Sequence, residues 1–151
     1  MENCSRYGII LNPTIERVIV RNNVVKNCGQ ALFVGNSNNT IEDNYLEGIG
    51  HFGRVPSSKR PSVYISNCNG GTLKRCTISQ VKKTAQLFAT YNSNNWIVDE
   101  CLFDRTNDVA IVMQSSSPMT LTLKNSTLRG NATNYSLDAN STLIKENVIE
   151  E

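Results

Sequence analysis

A six-residue pattern returns six times along the chain and restricts its fold more than any other feature. It runs aliphatic, two polar residues, a small polar residue or cysteine, any residue, then an apolar residue. The copies are VRNNVV from Val20, IEDNYL from Ile41, LKRCTI from Leu73, VDECLF from Val98, LKNSTL from Leu123 and IKENVI from Ile144. Their first residues lie 21, 32, 25, 25 and 21 positions apart. A period of this size marks a unit that cannot bury its apolar face alone and must stack on its neighbours. Each repeat also holds a second apolar stretch: GIIL after Tyr7, ALFV after Gln30, VYI after Ser62, LFA after Gln86, AIVM after Val109 and YSL after Asn134. Asn, Gly and Ser separate the stretches, and no window of a dozen residues carries a 3.6-residue apolar stripe.

Short strands closed by tight turns at this period predict an all-β coil. Each strand pairs in parallel with its equivalent one rung away, at about 4.8 Å. The expectation is a right-handed parallel β-helix (a solenoid) of about six rungs, with residues 1–151 as one domain. Stacking turns sequence positions into ladders. The first position reads Val20, Ile41, Leu73, Val98, Leu123, Ile144 and the last reads Val25, Leu46, Ile78, Phe103, Leu128, Ile149, two core ladders. The fourth reads Asn23, Asn44, Cys76, Cys101, Ser126, Asn147, a slot for small side chains that hydrogen-bond in a bend.

The two polar positions read Arg21, Glu42, Lys74, Asp99, Lys124, Lys145 and Asn22, Asp43, Arg75, Glu100, Asn125, Glu146. Neighbours alternate in sign through much of both columns, as exposed cross-strand pairs do. Such pairs contribute about 0–1 kcal/mol each, so they act on register and their acids are structural. At the ends, Met1 to Cys4 fills the slot that Val25 to Cys28 fills one rung on, and Val148-Ile149 completes a core strand. Neither end offers an amphipathic helix or a polar cap, so the ends read as uncapped. The expected partners are further rungs of a longer chain or the other copies of a homotrimer.

Charge and cysteine content narrow the function. Net charge is +2 and 19% of residues are charged, a balance that points to neither nucleic acid nor a membrane surface. The apolar runs fall far short of the ~20 residues of a spanning helix, and Met1-Glu2-Asn3-Cys4 does not read as a signal peptide. Five cysteines without a CxxC, and the single His51, do not make a zinc site. No metal or cofactor is expected, and the cysteines read as buried free thiols.

Two places invite chemistry. The longest interval holds an insertion, Glu47 to Pro61 (EGIGHFGRVPSSKRP), rich in Gly and Pro. It gathers His51, Arg54, Lys59 and Arg60 beside Phe52, groups suited to an acidic or uronate-bearing glycan; a solvated loop without a ligand is the plainer reading. The second place is DRTND, where Asp104 and Asp108 flank Arg105. Glycosidases use two carboxylates, about 5 Å apart for retention or about 6.5–9.5 Å for inversion, but Asp also favours turns on its own. Trp96, Tyr45, Tyr64 and Tyr91 suit sugar stacking or packing.

The rungs of the type Asn39-Thr-Ile41-Glu-Asp-Asn44-Tyr-Leu46 resemble the repeats of right-handed parallel β-helix proteins: polysaccharide lyases, β-helix glycoside hydrolases and phage tailspikes. The resemblance covers nearly the whole chain. The run from Asn44 through Ile65, with GIGHFGR and RPSVYIS, is similar to the rung before the active region of β-helix glycoside hydrolases that act on plant polysaccharides. In those enzymes acidic residues precede a Gly-Ala-Ile strand, and Asp108-Val109-Ala110-Ile111 matches with Val109 in place of Gly. Their Pro-His-Ser turn has no equivalent at Lys83-Thr84-Ala85. The resemblance implies a carbohydrate-related module and a parent that is secreted, periplasmic or virion-associated. Three functions stay open: a hydrolase or lyase using Asp104 and Asp108, or Lys59, Arg60 and His51; a glycan-binding tailspike shaft; and a structural segment.

Overall fold

The structure is a computed structural model, and it describes residues 1–52 and 59–151. Among them lie eighteen strands and no helix. The strands form three parallel sheets that the chain visits in turn, one strand of each per rung. Sheet 1 contains β1 (Tyr7–Leu11), β4 (Gln30–Val34), β7 (Val63–Ser66), β10 (Phe88–Tyr91), β13 (Val109–Gln114) and β16 (Thr133–Leu137). Sheet 2 contains β2 (Ile19–Arg21), β5 (Asn39–Glu42), β8 (Asn69–Lys74), β11 (Asn94–Asp99), β14 (Met119–Lys124) and β17 (Ser141–Glu146). Sheet 3 contains β3 (Val24–Cys28), β6 (Tyr45–Gly48), β9 (Thr77–Gln80), β12 (Leu102–Asp104), β15 (Thr127–Arg129) and β18 (Ile149–Glu150). This is the right-handed parallel solenoid of about six turns that the repeat predicts.

Alternation along each strand sends one set of side chains inward. Val20, Ile41, Leu73, Val98 and Leu123 stack through sheet 2 and are buried. Val25, Leu46, Ile78, Phe103 and Leu128 do the same through sheet 3. Sheet 1 supplies Leu32, Val63, Phe88 and Ile111. The sheets meet at the centre, where Phe88 and Phe103 pack edge to face with centroids 6.2 Å apart. Each fully buried aliphatic side chain contributes roughly 1.5–3 kcal/mol. Trp96 also lies inside, 1% exposed, so it is core and not a stacking platform.

A two-residue bend joins sheet 2 to sheet 3 on every rung. Its first residue is left-handed each time: Asn22 (φ 57°), Asp43 (56°), Arg75 (50°), Glu100 (54°), Asn125 (48°) and Asn147 (51°). Its second residue fills the small slot, and the structure explains why that slot is polar. The side chain one rung on accepts the backbone N–H of the residue before it in the column. Asn44 Oδ1 accepts from Asn23 N at 2.9 Å, Cys101 Sγ from Cys76 N at 3.5 Å, and Ser126 Oγ from Cys101 N at 3.0 Å. All five cysteines are free, and Cys76 and Cys101 occupy adjacent rungs as their columns predict.

The last rung corrects the sequence alignment by one residue. Leu121 pairs with Leu143, Leu123 with Lys145 and Leu128 with Glu150, so Ile144 and Ile149 leave the core ladders and are 43% and 56% exposed. A one-residue slip sends every side chain to the other face. The left-handed bend favours this register: L-residues there meet their own carbonyl, and Asn tolerates it better than Glu, although Arg75 and Glu100 adopt it on earlier rungs. Asn147 therefore takes the place under Asn125, donating Nδ2 to Asn125 Oδ1 at 3.2 Å, and Val148 drops into the small slot. The slip also completes the charge column, which now reads Arg21, Glu42, Lys74, Asp99, Lys124, Glu146. The inward positions of this rung become polar. Glu150 accepts from Tyr135 Oη at 2.7 Å, Lys145 Nζ at 3.0 Å and Asn134 Nδ2 at 3.1 Å.

Candidate functional site

The connections differ most in length at the corner between sheet 3 and sheet 1. One glycine, Gly29, joins β3 to β4, residues 49–62 join β6 to β7, residues 81–87 join β9 to β10, and residues 105–108 join β12 to β13. Both candidate segments leave the coil here, and they meet. Lys59 Nζ lies 3.2 Å from Asp108 Oδ2, two rungs along sheet 1. His51 is buried, and its Nε2 stands 2.8 Å from Lys82 Nζ. An ammonium only donates, so Nε2 accepts and the ring proton sits on Nδ1. Arg54 lies outside the described residues.

Phe52 is the hub of the insertion's root. Arg60 stacks over its ring at 4.6 Å and Arg6 at 5.9 Å, and Tyr7 meets it edge-on at 5.0 Å. Gly29 is required beneath it, because a Cβ there would come within 2.9 Å of both the Phe52 ring and the His51 carbonyl. Gln80 holds the connection in place: its Oε1 accepts from Ala85 N at 2.8 Å and its Nε2 donates to the Arg60 carbonyl at 3.4 Å. Around this hub three buried nitrogens have no hydrogen-bond partner among the described residues: Gln30 Nε2, His51 Nδ1 and Arg60 Nε. An unpaired buried donor costs about 1–3 kcal/mol, so three at one corner ask for an acceptor.

A cleft of about 300 Å³ opens beside the corner, on the outer face of sheet 3. Tyr45, Glu47, Ser79, Lys83, Asp104 and Arg105 line it. Glu47, Ser79 and Asp104 are successive members of one outward column, so the two carboxylate-bearing residues are two rungs, roughly 9–10 Å, apart. Glu47 accepts from Tyr45 Oη at 2.9 Å. Asp104 is gripped by Arg129 at 2.9 Å and Arg105 at 3.2 Å. Burial pushes its carboxyl up, but the hydrogen bond and charge of Arg129, with Arg105, outweigh that and hold it below the usual carboxylate range. Asp104 is thus an ionised acceptor at neutral pH, suited to a base and not to an acid.

Asp104 and Asp108 do not share one opening. Asp104 faces the cleft, whereas Asp108 caps its own turn, accepting from Val109 N at 2.9 Å, and pairs with Lys59. The carboxylate that does share the cleft with Asp104 is Glu47. Its signal was in the sequence: the position after the last apolar residue of each repeat reads Glu47, Ser79, Asp104. Gln30, Arg6 and Lys82 had no such signal. No group of three or more His, Cys, Asp or Glu suited to a metal occurs among the described residues.

The family model described as right handed beta helix region matches residues 1–149. No curated protein and no solved structure matches the chain. The chain belongs to the right-handed β-helix family.

Proposed function

We propose that this β-helix is a glycan-binding module whose sheet 3 to sheet 1 corner holds an acidic polysaccharide. The observation that carries this reading is the set of buried donors without an acceptor, Gln30 Nε2, His51 Nδ1 and Arg60 Nε, around Phe52. A uronate carboxylate would offer acceptors to donors of this kind, and Lys82 and Arg6 add positive charge at the same corner. Tyr45 and the polar cleft beside it would receive neighbouring sugar units.

A second reading, cleavage of the bound glycan, rests on Glu47 and Asp104 lining one cleft. Their two-rung spacing is close to the ~6.5–9.5 Å that inverting hydrolysis uses. Asp104, held ionised, would activate water, and Glu47 would protonate the leaving oxygen. The test is calorimetric titration of the chain with a hexamer of galacturonate and with its carboxyl-reduced, neutral counterpart. We expect the charged hexamer to bind at least tenfold more tightly, and Arg60→Gln to remove that preference. Equal binding of both, or an Arg60→Gln variant that keeps the preference, rejects the acidic-glycan site. Reducing ends that appear with the parent chain and vanish in Glu47→Gln support cleavage.

A further inference from the structure

The other edge of sheet 1, where it turns into sheet 2, carries a cleft of a different chemistry. Its volume is about 450 Å³, and Ser37, Asn67, Asn69, Asn92, Asn94 and Ser117 line it. None of the described residues that line it is charged. We propose that this is a second saccharide site, selective for neutral sugars, independent of the acidic-glycan corner.

The amides are stacked and fixed. Asn69 and Asn94 are paired neighbours on β8 and β11, so their side chains repeat at about 4.8 Å along the coil. Asn94 Oδ1 accepts from Thr120 N at 2.7 Å and from Asn95 N at 2.9 Å. Asn69 Oδ1 accepts from Asn95 Nδ2 at 3.0 Å. Both carbonyl ends are therefore pinned, and both Nδ2 groups are left without an acceptor among the described residues. Asn67 and Asn92, the left-handed residues of this bend, are braced in the same way. Asn92 Oδ1 accepts from Ser116 N at 2.8 Å and Ser115 Oγ at 3.1 Å, and Asn92 Nδ2 reaches Asn67 Oδ1 at 3.5 Å.

Fixed donors with no charge beside them fit hydroxyl oxygens. A carboxylate or phosphate would have no counter-charge here and would lose its hydration without return. A sugar ring offers vicinal hydroxyl oxygens that two stacked amides can meet. Because the amides are already held, little side-chain entropy is lost on binding.

The side-chain amide signals of Asn69 and Asn94 are the readout, followed by NMR during titration with four linear β-1,4 hexamers: of glucose, xylose, mannose and galactose. At least one hexamer should shift both signals saturably. Asn94→Asp and Asn69→Asp keep the pinned oxygen and replace the donor with an acceptor, so each should weaken that hexamer at least tenfold with the fold intact by circular dichroism. Arg60→Gln, which disables the acidic-glycan corner, should leave this binding unchanged. The proposal fails if none of the four hexamers shifts the signals, or if binding survives in both Asp variants. It also fails if binding is lost in Arg60→Gln alone, since the sugar then sits at the other corner.

Discussion

Lys59 and Asp108 join the insertion to a turn two rungs further along the coil, with Nζ and Oδ2 3.2 Å apart. Lys59 is 66% exposed and Asp108 21%, so the pair contributes about 0–1 kcal/mol. Asp108→Asn should leave the melting temperature within about 2–4 °C of the parent. It should raise amide exchange at Lys59 and Arg60, because their tether to the next rungs is cut. A larger loss of stability would make the pair part of the core and not a clasp on the insertion.

Gly71 and Trp96 are partners across sheet 2, and the indole fills the space a side chain at Gly71 would need. A Cβ there would come within 2.5–2.7 Å of the ring. Gly71→Ala should destabilise by roughly 1–3 kcal/mol, and the Trp96 fluorescence should shift as the buried ring moves. An unchanged melting temperature would mean that the ring has room to yield.

Acid should weaken the coil through Asp104 and Glu150. Glu150 is held below its ordinary range by its hydrogen bonds from Tyr135 and Lys145, and Asp104 is lowered by Arg129 and Arg105 despite burial. A carboxyl lowered in the folded state contributes stability that is full above its unfolded value, about 3.9 for Asp and 4.3 for Glu. That contribution is lost as pH falls through the folded value. Urea midpoints should fall below about pH 5, and the Asp104→Asn and Glu150→Gln variants should show a flatter acid limb. A limb as steep as the parent's would assign acid sensitivity to other carboxyls.

Thiol reactivity should divide the cysteines by place in the fold. Cys4 is half-buried, whereas Cys28, Cys68, Cys76 and Cys101 are buried. Burial, with the nearby Cys4, pushes the Cys28 thiol up to about 11, and burial raises Cys68. An aromatic disulfide reagent should titrate one thiol quickly in the native chain and all five in denaturant. Fast reaction at Cys76 or Cys101, or fewer than five after unfolding, would contradict the packed ladder.

The last rung should depend on the left-handed backbone of Asn147. Asn147→Gly keeps that conformation open, whereas Asn147→Val places a branched side chain where L-residues lose about 1–2 kcal/mol. Exchange protection at Ile149 and Glu151, whose N–H groups bond to Ser126 and Leu128 carbonyls, should survive in the first variant and fall in the second. Equal protection in both would mean that packing and not the bend sets the register.

The sequence by itself determined the coil. Apolar residues at fixed places in each repeat, with a small polar residue between them, bury only if equivalent strands stack, so the ladders from Val20 to Leu123 and from Val25 to Leu128 follow from the repeat alone. The tertiary structure alone decided the last register. Leu143-Ile144 and Val148-Ile149 are adjacent apolar pairs, and a slip of one residue keeps an apolar group near the core either way. The choice fell to Asn147 in the left-handed bend. The site was legible only in part. Asp104 and the insertion stood out as breaks in a regular pattern, and Glu47 lay in a column that could be aligned. Gln30, Arg6, His51, Arg60 and Lys82 come from four separate segments with no shared spacing. Only the winding of the chain brings them to one corner, where the buried nitrogens of Gln30, His51 and Arg60 have no partner among the described residues.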